Sequence, residues 1–269
     1  MENKHNMEVP LMADLAAKNK TPEYLLWVGC AGSYDERYQK VIQALIKVLN
    51  KASIDFAVLG PEESCTGDPA RRAGNELLFQ MQALSNIQIL NNYNIEKIIT
   101  PCPHCYNTFK NEYPALGGKY QVIHHTELLD RILSENPEIL HSPGDFEGKA
   151  ITYHDSCYLG RSNGIYDPPR KIIESLKGTL NEMGRIKADG LCCGAGGSQM
   201  FKEAEKGVKD INIERTEEVL KSGAEIVTTA CPFCLTMLSD GIKAFEKEDD
   251  IKVLDIVELL EKSGDKAAS

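Results

Sequence analysis

The chain has 269 residues, 42% of them apolar and 26% charged, an ordinary globular composition with length for one large domain or two of average size. Its formal charge of −10 and pI near 5.2 disfavour polyanionic partners such as nucleic acid or an anionic membrane surface. No apolar run approaches the ~20 residues of a bilayer span, and Met1-Glu2-Asn3-Lys4-His5-Asn6 lacks the apolar core of a secretory signal.

In chain order, Met1 to Thr21 shows no strong periodicity and reads as a flexible or docking extension. Tyr24-Leu25-Leu26-Trp27-Val28 is a buried strand, and Cys30 follows it. From Asp35 to Lys51 the apolar residues Tyr38, Val41, Ile42, Leu45, Ile46 and Leu49 form one helical stripe. Phe56-Ala57-Val58-Leu59 is a second strand, stopped by Gly60-Pro61, with Cys65 soon after. A helix over about Ala73 to Asn92 leads to the strand Glu96-Lys97-Ile98-Ile99-Thr100. Cys102 stands directly behind that strand, and a helix begins near Cys105. Tyr120-Gln121-Val122-Ile123 is the fourth strand.

After a linker of prolines, glycines and charges from Glu135 to Gly148, the order repeats. Ala150-Ile151-Thr152-Tyr153 precedes Cys157, and a helix runs over about Pro169 to Lys177. A weaker strand near Met183 precedes Cys192 and Cys193. A helix over Val208 to Lys221 leads to Glu225-Ile226-Val227-Thr228-Thr229 and then Cys231, and Lys252-Val253-Leu254 closes the sheet. Alternating strands and helices predict an α/β protein: two tandem Rossmann-like domains, 22–134 and 149–262, with parallel sheets related by internal duplication. In such sheets sites form beyond the carboxyl ends of the strands, so thiols far apart in sequence converge.

The nine cysteines follow the duplication. Cys30 to Cys65 and Cys157 to Cys192 are both 35 residues apart, and both sets close in C-P-x-C, as Cys102-Pro103-His104-Cys105 and Cys231-Pro232-Phe233-Cys234. The sets differ at one place, where Thr66 aligns with Cys193. An odd number of cysteines excludes a complete set of internal disulfides and fits thiolates held by metal in a reducing cytoplasm. Three chemistries compete for them. Iron–sulfur ligation uses soft thiolates, and C-x-x-C lets one turn supply two of them. Structural zinc needs only four ligands per site, which the adjacent Cys192-Cys193 pair fits poorly. A thioredoxin-like dithiol would explain Cys102 to Cys105 taken alone. The duplicate, with its matching upstream cysteines, favours the cluster.

Other candidates carry a plain structural reading beside a functional one. His124 and His125 either cap the next helix or line the site. Arg71, Arg72 and Arg161 either neutralise cluster charge or form ordinary surface ion pairs. The run Glu246-Lys247-Glu248-Asp249-Asp250 is a solvated loop.

Cys157, Cys192-Cys193-Gly194 and Cys231-Pro232-Phe233-Cys234 resemble the CCG cysteine-rich domain, which occurs in duplicate in a heterodisulfide reductase subunit and in many iron–sulfur oxidoreductases. The resemblance spans about Tyr24 to Leu260. It implies that Cys157, Cys192, Cys193, Cys231 and Cys234 bind a noncubane [4Fe-4S] cluster. It also implies that Cys30, Cys65, Cys102 and Cys105, lacking the fifth thiolate at Thr66, hold either an ordinary [4Fe-4S] cluster or a degenerate site. Trp27-Val28-Gly29-Cys30-Ala31-Gly32-Ser33, Cys65-Thr66-Gly67-Asp68-Pro69-Ala70-Arg71-Arg72 and Cys157-Tyr158-Leu159-Gly160-Arg161 are similar to membrane-linked oxidoreductases proposed to pass electrons between electron-transfer flavoprotein and quinone. The implied function is an electron-transfer component of an oxidoreductase complex. It would be cytoplasmic, or peripheral to the inner face of the membrane, and would depend on partners carrying ferredoxin-type clusters, flavin or the membrane anchor. Disulfide reduction at the noncubane cluster and a zinc-binding scaffold are the alternatives.

Overall fold

The computed structural model describes residues 9–137, 146–203 and 206–264. Much of the expected linker, and Met1 to Glu8 of the extension, lie outside them. Helix α1 (Met12–Ala17) precedes β1 (Tyr24–Leu26), α2 (Gly29–Tyr34), α3 (Glu36–Lys51), β2 (Phe56–Ala57), α4 (Asp68–Arg72), α5 (Glu76–Asn92), β3 (Lys97–Thr100), α6 (Pro103–Asn107), β4 (Gln121–His124) and α7 (His125–Glu135). The second half contains β5 (Ala150–Tyr153), α8 (Asp167–Ser175), β6 (Thr179–Leu180), α9 (Ile211–Ser222), β7 (Ile226–Thr229), α10 (Pro232–Ala244), β8 (Lys252–Asp255) and α11 (Ile256–Gly264). All pairings between these strands are parallel, in the orders β2-β1-β3-β4 and β6-β5-β7-β8. The predicted duplication is therefore present strand for strand.

Several boundaries differ from the sequence reading for local reasons. The helix expected from Ala73 is two helices, because Gly74 turns at φ +88° and Asn75 caps α5 by accepting from Leu78 N–H. The strand expected near Met183 is Thr179–Leu180, while Met183 packs in a small core with Val219, Val227 and Leu238. Within the expected extension, Pro10 and Met12 are tied to the first sheet. Pro10 accepts from Val58 N–H, Met12 N–H donates to the Val58 carbonyl, and Met12 is buried.

Strand alternation decides which core each side chain enters. Leu25, Trp27, Ala57 and Leu59 face a core closed by Phe79, Ala83 and Leu90 of α5. Tyr24, Leu26, Phe56 and Val58 face the opposite way, into a core that continues without a break to Ile151, Tyr153, Ile172, Val257 and Leu260 of the second half. The halves thus share one apolar interior. Helix α3 packs on α11, and its repeat mate α8 packs on α7, so the two halves exchange equivalent helices about a pseudo-twofold axis. Arg37 of α3 reinforces this with bonds to both Glu258 oxygens, at 3.0 and 2.7 Å, and to the Val253 carbonyl.

Candidate metal centres

In each sheet the chain leaves the first strand on one side and returns across it to the third. The crevice therefore opens between the carboxyl ends of β1 and β3, and of β5 and β7. Cys30 lies in α2 just after β1, Cys65 in the loop after β2, and Cys102 and Cys105 flank the start of α6 after β3. Cys157, then Cys192 and Cys193, then Cys231 and Cys234 occupy the matching places. All nine are free thiols; Cys102, Cys105, Cys193, Cys231 and Cys234 are buried and the rest half-buried.

The sulfurs touch within each half. Cys30 pairs with Cys65, and Cys102 with Cys105, whose thiol also feels Cys30 and Cys65. In the second half the contacts form a chain: Cys157 to Cys192, Cys192 to Cys193, Cys193 to Cys234, and Cys234 to Cys231. The hydrogen bond with Cys30 brings the Cys65 thiol down to about 7, whereas burial pushes Cys231 up to about 11. The nine residues expected at the sites are thus gathered into two groups, four thiols and five.

Thr66 takes up the fifth position in space as well as in sequence. It is buried, and its hydroxyl donates to Cys105 Sγ at 3.8 Å, the contact that Cys193 makes with Cys234. The residue after it has the same job in both halves. Gly67 and Gly194, at φ +91° and +94°, adopt a left-handed turn that aims their N–H groups at Cys65 Sγ (3.4 Å) and Cys192 Sγ (3.3 Å). Soft, buried thiols with backbone N–H groups directed at sulfur are the donor set of an iron–sulfur centre, and the residues present fit one.

The two groups meet across the pseudo-twofold axis. The His104 ring, between Cys102 and Cys105, stacks on Tyr158 at 4.2 Å between centroids and meets Phe233, its repeat mate in C-P-F-C, edge-on at 4.9 Å. His104 Nδ1 is 2.8 Å from Asp68 Oδ2, and Asp68 accepts from Arg72 Nε at 3.0 Å. Pro232 and Phe233 of the second half complete the wall of the cavity around Cys30, Cys65, Cys102 and Cys105. Beside it a second opening, lined by Cys30, Tyr34, Met200, Phe201, Phe233 and Thr236, leads outward between the halves.

The remaining candidates are structural. His124 caps α7 in a reciprocal box with Glu127, and His125 Nε2 lies 3.2 Å from Asp255 Oδ1 with both side chains fully buried. Arg71 pairs with Glu112 and Glu76, Arg72 with Asp68 and Glu112, and Arg161 donates to the Gly190 carbonyl at 2.8 Å, tying the Cys157 loop to the Cys192 loop. In the run 246–250, Lys247 pairs with Asp250 in an exposed turn.

Sequence reasoning missed His104 and Tyr158 as a bridge, and missed His154 and Arg215 entirely. His154 directly follows β5 and is fully buried, with one ring nitrogen within 4.8 Å of both Cys193 and Cys234 Sγ. Burial, and then the nearby Arg215 charge, lower its pKa to about 3, so the ring is neutral. A polar residue directly after a buried strand, three residues before Cys157, was the available signal.

Against this geometry the comparisons with known proteins are decisive. The family described as "Cysteine-rich domain" (CCG) matches residues 24–110 and 151–239. The chain belongs to the CCG cysteine-rich domain family. Among its relatives, the EtfAB:quinone oxidoreductase of Syntrophomonas wolfei is 47% identical over 93% of this chain and 35% of its own length. The probable iron-sulfur-binding oxidoreductase FadF of Bacillus subtilis is 47% identical over 95% and 36%. A heterodisulfide reductase component of Methanosarcina barkeri is 33% identical over 88% and 58%. The chain therefore spans about a third of the length of the first two. A solved structure of a hypothetical protein from Helicobacter pylori shares the fold, with a TM-score of 0.56 at 11% identity over 90% of this chain and 49% of that one. No helix among the described residues is long and apolar enough to cross a membrane.

Proposed function

We propose that this CCG chain holds two iron–sulfur centres and relays electrons between partner redox proteins. The contact of its two thiol groups through His104, Tyr158 and Phe233 is the observation that carries this reading. Cys157, Cys192, Cys193, Cys231 and Cys234 would hold a noncubane [4Fe-4S] cluster; Cys30, Cys65, Cys102 and Cys105 would hold a conventional one. When bound, such clusters supply one-electron redox chemistry at potentials set by thiolate number, hydrogen bonds to sulfur and solvent access. The chain's own residues bury five of the nine thiols and aim the Gly67 and Gly194 N–H groups at sulfur. By analogy with the names of its relatives, the flavoprotein EtfAB on one side and a quinone-linked membrane protein on the other are the expected partners.

The outward opening lined by Tyr34, Met200, Phe201 and Phe233 beside Cys30 favours a second reading, reduction of a disulfide substrate, as the name of the Methanosarcina relative indicates for that protein. Anaerobic purification separates these from a zinc scaffold. Brown protein with matched iron and acid-labile sulfide is expected, and a colourless, zinc-loaded sample would overturn the proposal. Reduction of a thiol disulfide by the isolated chain with an artificial electron donor would favour catalysis over relay.

A further inference from the structure

Although His154, Cys193 and Cys234 cluster as three metal donors would, a second contact decides the role of the imidazole. Arg215 Nε donates to His154 Nδ1 at 3.0 Å, and a guanidinium has only N–H donors to offer. Nδ1 must therefore present its lone pair to Arg215. In a neutral ring the proton then sits on Nε2, which has no lone pair left for a metal. Arg215 is fixed in turn: it is fully buried, donates to the Arg185 carbonyl at 2.8 Å and pairs with Glu218. Among the described residues His154 Nε2 is buried with no hydrogen-bond partner, a costly state for an N–H group unless something at the site accepts from it.

We propose that His154 is an N–H donor to sulfur at the second centre rather than a ligand. Arg215 is the positioning residue that locks its tautomer. The repeat supports this. Trp27, at the matching position before Cys30, is also fully buried; its indole nitrogen is a donor only and has no partner among the described residues, and it packs in the same core as Cys102 and Cys105. Each half thus places a buried N–H group, unclaimed among the described residues, directly after its first strand. Such a donor favours the more negative, reduced state of a sulfur-ligated centre and so raises its potential.

The inference rests on the two-centre reading above, and the experiment separates them. In the whole chain loaded anaerobically with iron and sulfide, His154→Phe should keep its full iron and sulfide content. Its reduced-to-oxidised ratio at the second centre should fall roughly tenfold at fixed potential, about 59 mV for one electron, as expected for loss of a hydrogen bond to a charged group. His154→Gln, which restores an N–H donor, should recover much of that loss. Iron loss confined to one centre in His154→Phe would make the imidazole a ligand and overturn the proposal. Full iron with an unshifted potential would overturn it as well. Iron-free wild-type protein would overturn the two-centre reading, and this inference with it. Pulsed electron paramagnetic resonance of the wild-type holoprotein needs no variant. Weak nitrogen coupling with an exchangeable proton is expected, and the strong coupling of directly bonded nitrogen would refute the donor role.

Discussion

Exchanging Thr66 and Cys193 in reciprocal variants tests whether the inequality between the halves is chemical. Thr66 is 2% exposed and stands 3.8 Å from Cys105 Sγ, so a thiol there needs no rearrangement of the backbone. Thr66→Cys removes one buried methyl, about 0.8 kcal/mol. It also removes one hydroxyl-to-sulfur hydrogen bond, at most ~1 kcal/mol. The metal-free variant should therefore lose about 1–2 kcal/mol, a fall of a few degrees in melting temperature for a chain of this size. Once loaded with iron and sulfide, the first half has five thiols in the arrangement of the second. Electron paramagnetic resonance should then show the second-centre signature at twice its wild-type intensity. Cys193→Thr should do the reverse, leaving two centres of the first type. If both variants take up wild-type iron and leave every signal unchanged, neither position reaches the metal and the reasoning fails.

Three further outcomes follow from packing and charge. Gly241 of α10 lies against α9, where an added Cβ would overlap Thr216 Oγ1 and stand 3.3 Å from the Asn212 carbonyl. Gly241→Ala should cost about 1–3 kcal/mol in urea denaturation, with part recovered in Gly241→Ala/Thr216→Ala; an unaffected midpoint would contradict the crossing. Arg170 makes a bidentate pair with buried Asp155, at 2.8 and 2.9 Å, and Asp155 also accepts from Lys187 N–H on the approach to Cys192. Arg170→Leu should cost about 3–5 kcal/mol and lower iron at the second centre, while Arg170→Leu/Asp155→Leu should be milder; equal damage in both would show that the unpaired carboxylate is not the cause. Burial raises Asp255 from its ordinary 3.8 to about 7, against the weaker lowering by Arg37, with Tyr38 and neutral His125 as its other neighbours. The folded chain then holds a proton that the unfolded chain has released, so this carboxyl's contribution is lost as pH rises through that window, by about 4 kcal/mol in full. His125, lowered to about 3, acts in the opposite sense, losing stability as pH falls below its ordinary 6.5. Asp255→Asn removes only the first effect. Its stability relative to wild type should rise between pH 4 and 7, and a flat difference would exclude Asp255 as the source.

The thiol groups were legible because these cysteines sit in the segments that follow buried strands, and strands announce themselves by composition. Thr66 was legible as a departure because the offset between repeats is constant there. His104 was read only as the variable residue of C-P-H-C; its partner Tyr158 is 54 positions away and belongs to the other half. His154 carries only a faint local mark, a polar residue directly after a buried strand, because the contact that orients its ring comes from Arg215, brought against it from α9. The capping role of His124 was within reach, because Glu127 three residues on completes the box.

The sequence by itself determined a duplicated α/β chain with four thiols in one half and five in the other. Repeat spacing and hydrophobic period are local quantities that survive without coordinates. Only the tertiary structure decided that the halves share one core, exchange equivalent helices and bring their thiol groups together through His104, Tyr158 and Phe233. Periodicity records that a face is buried but not what buries it. That choice is made by shape and hydrogen-bond satisfaction between segments more than a hundred residues apart, as Arg37 shows in reaching Glu258.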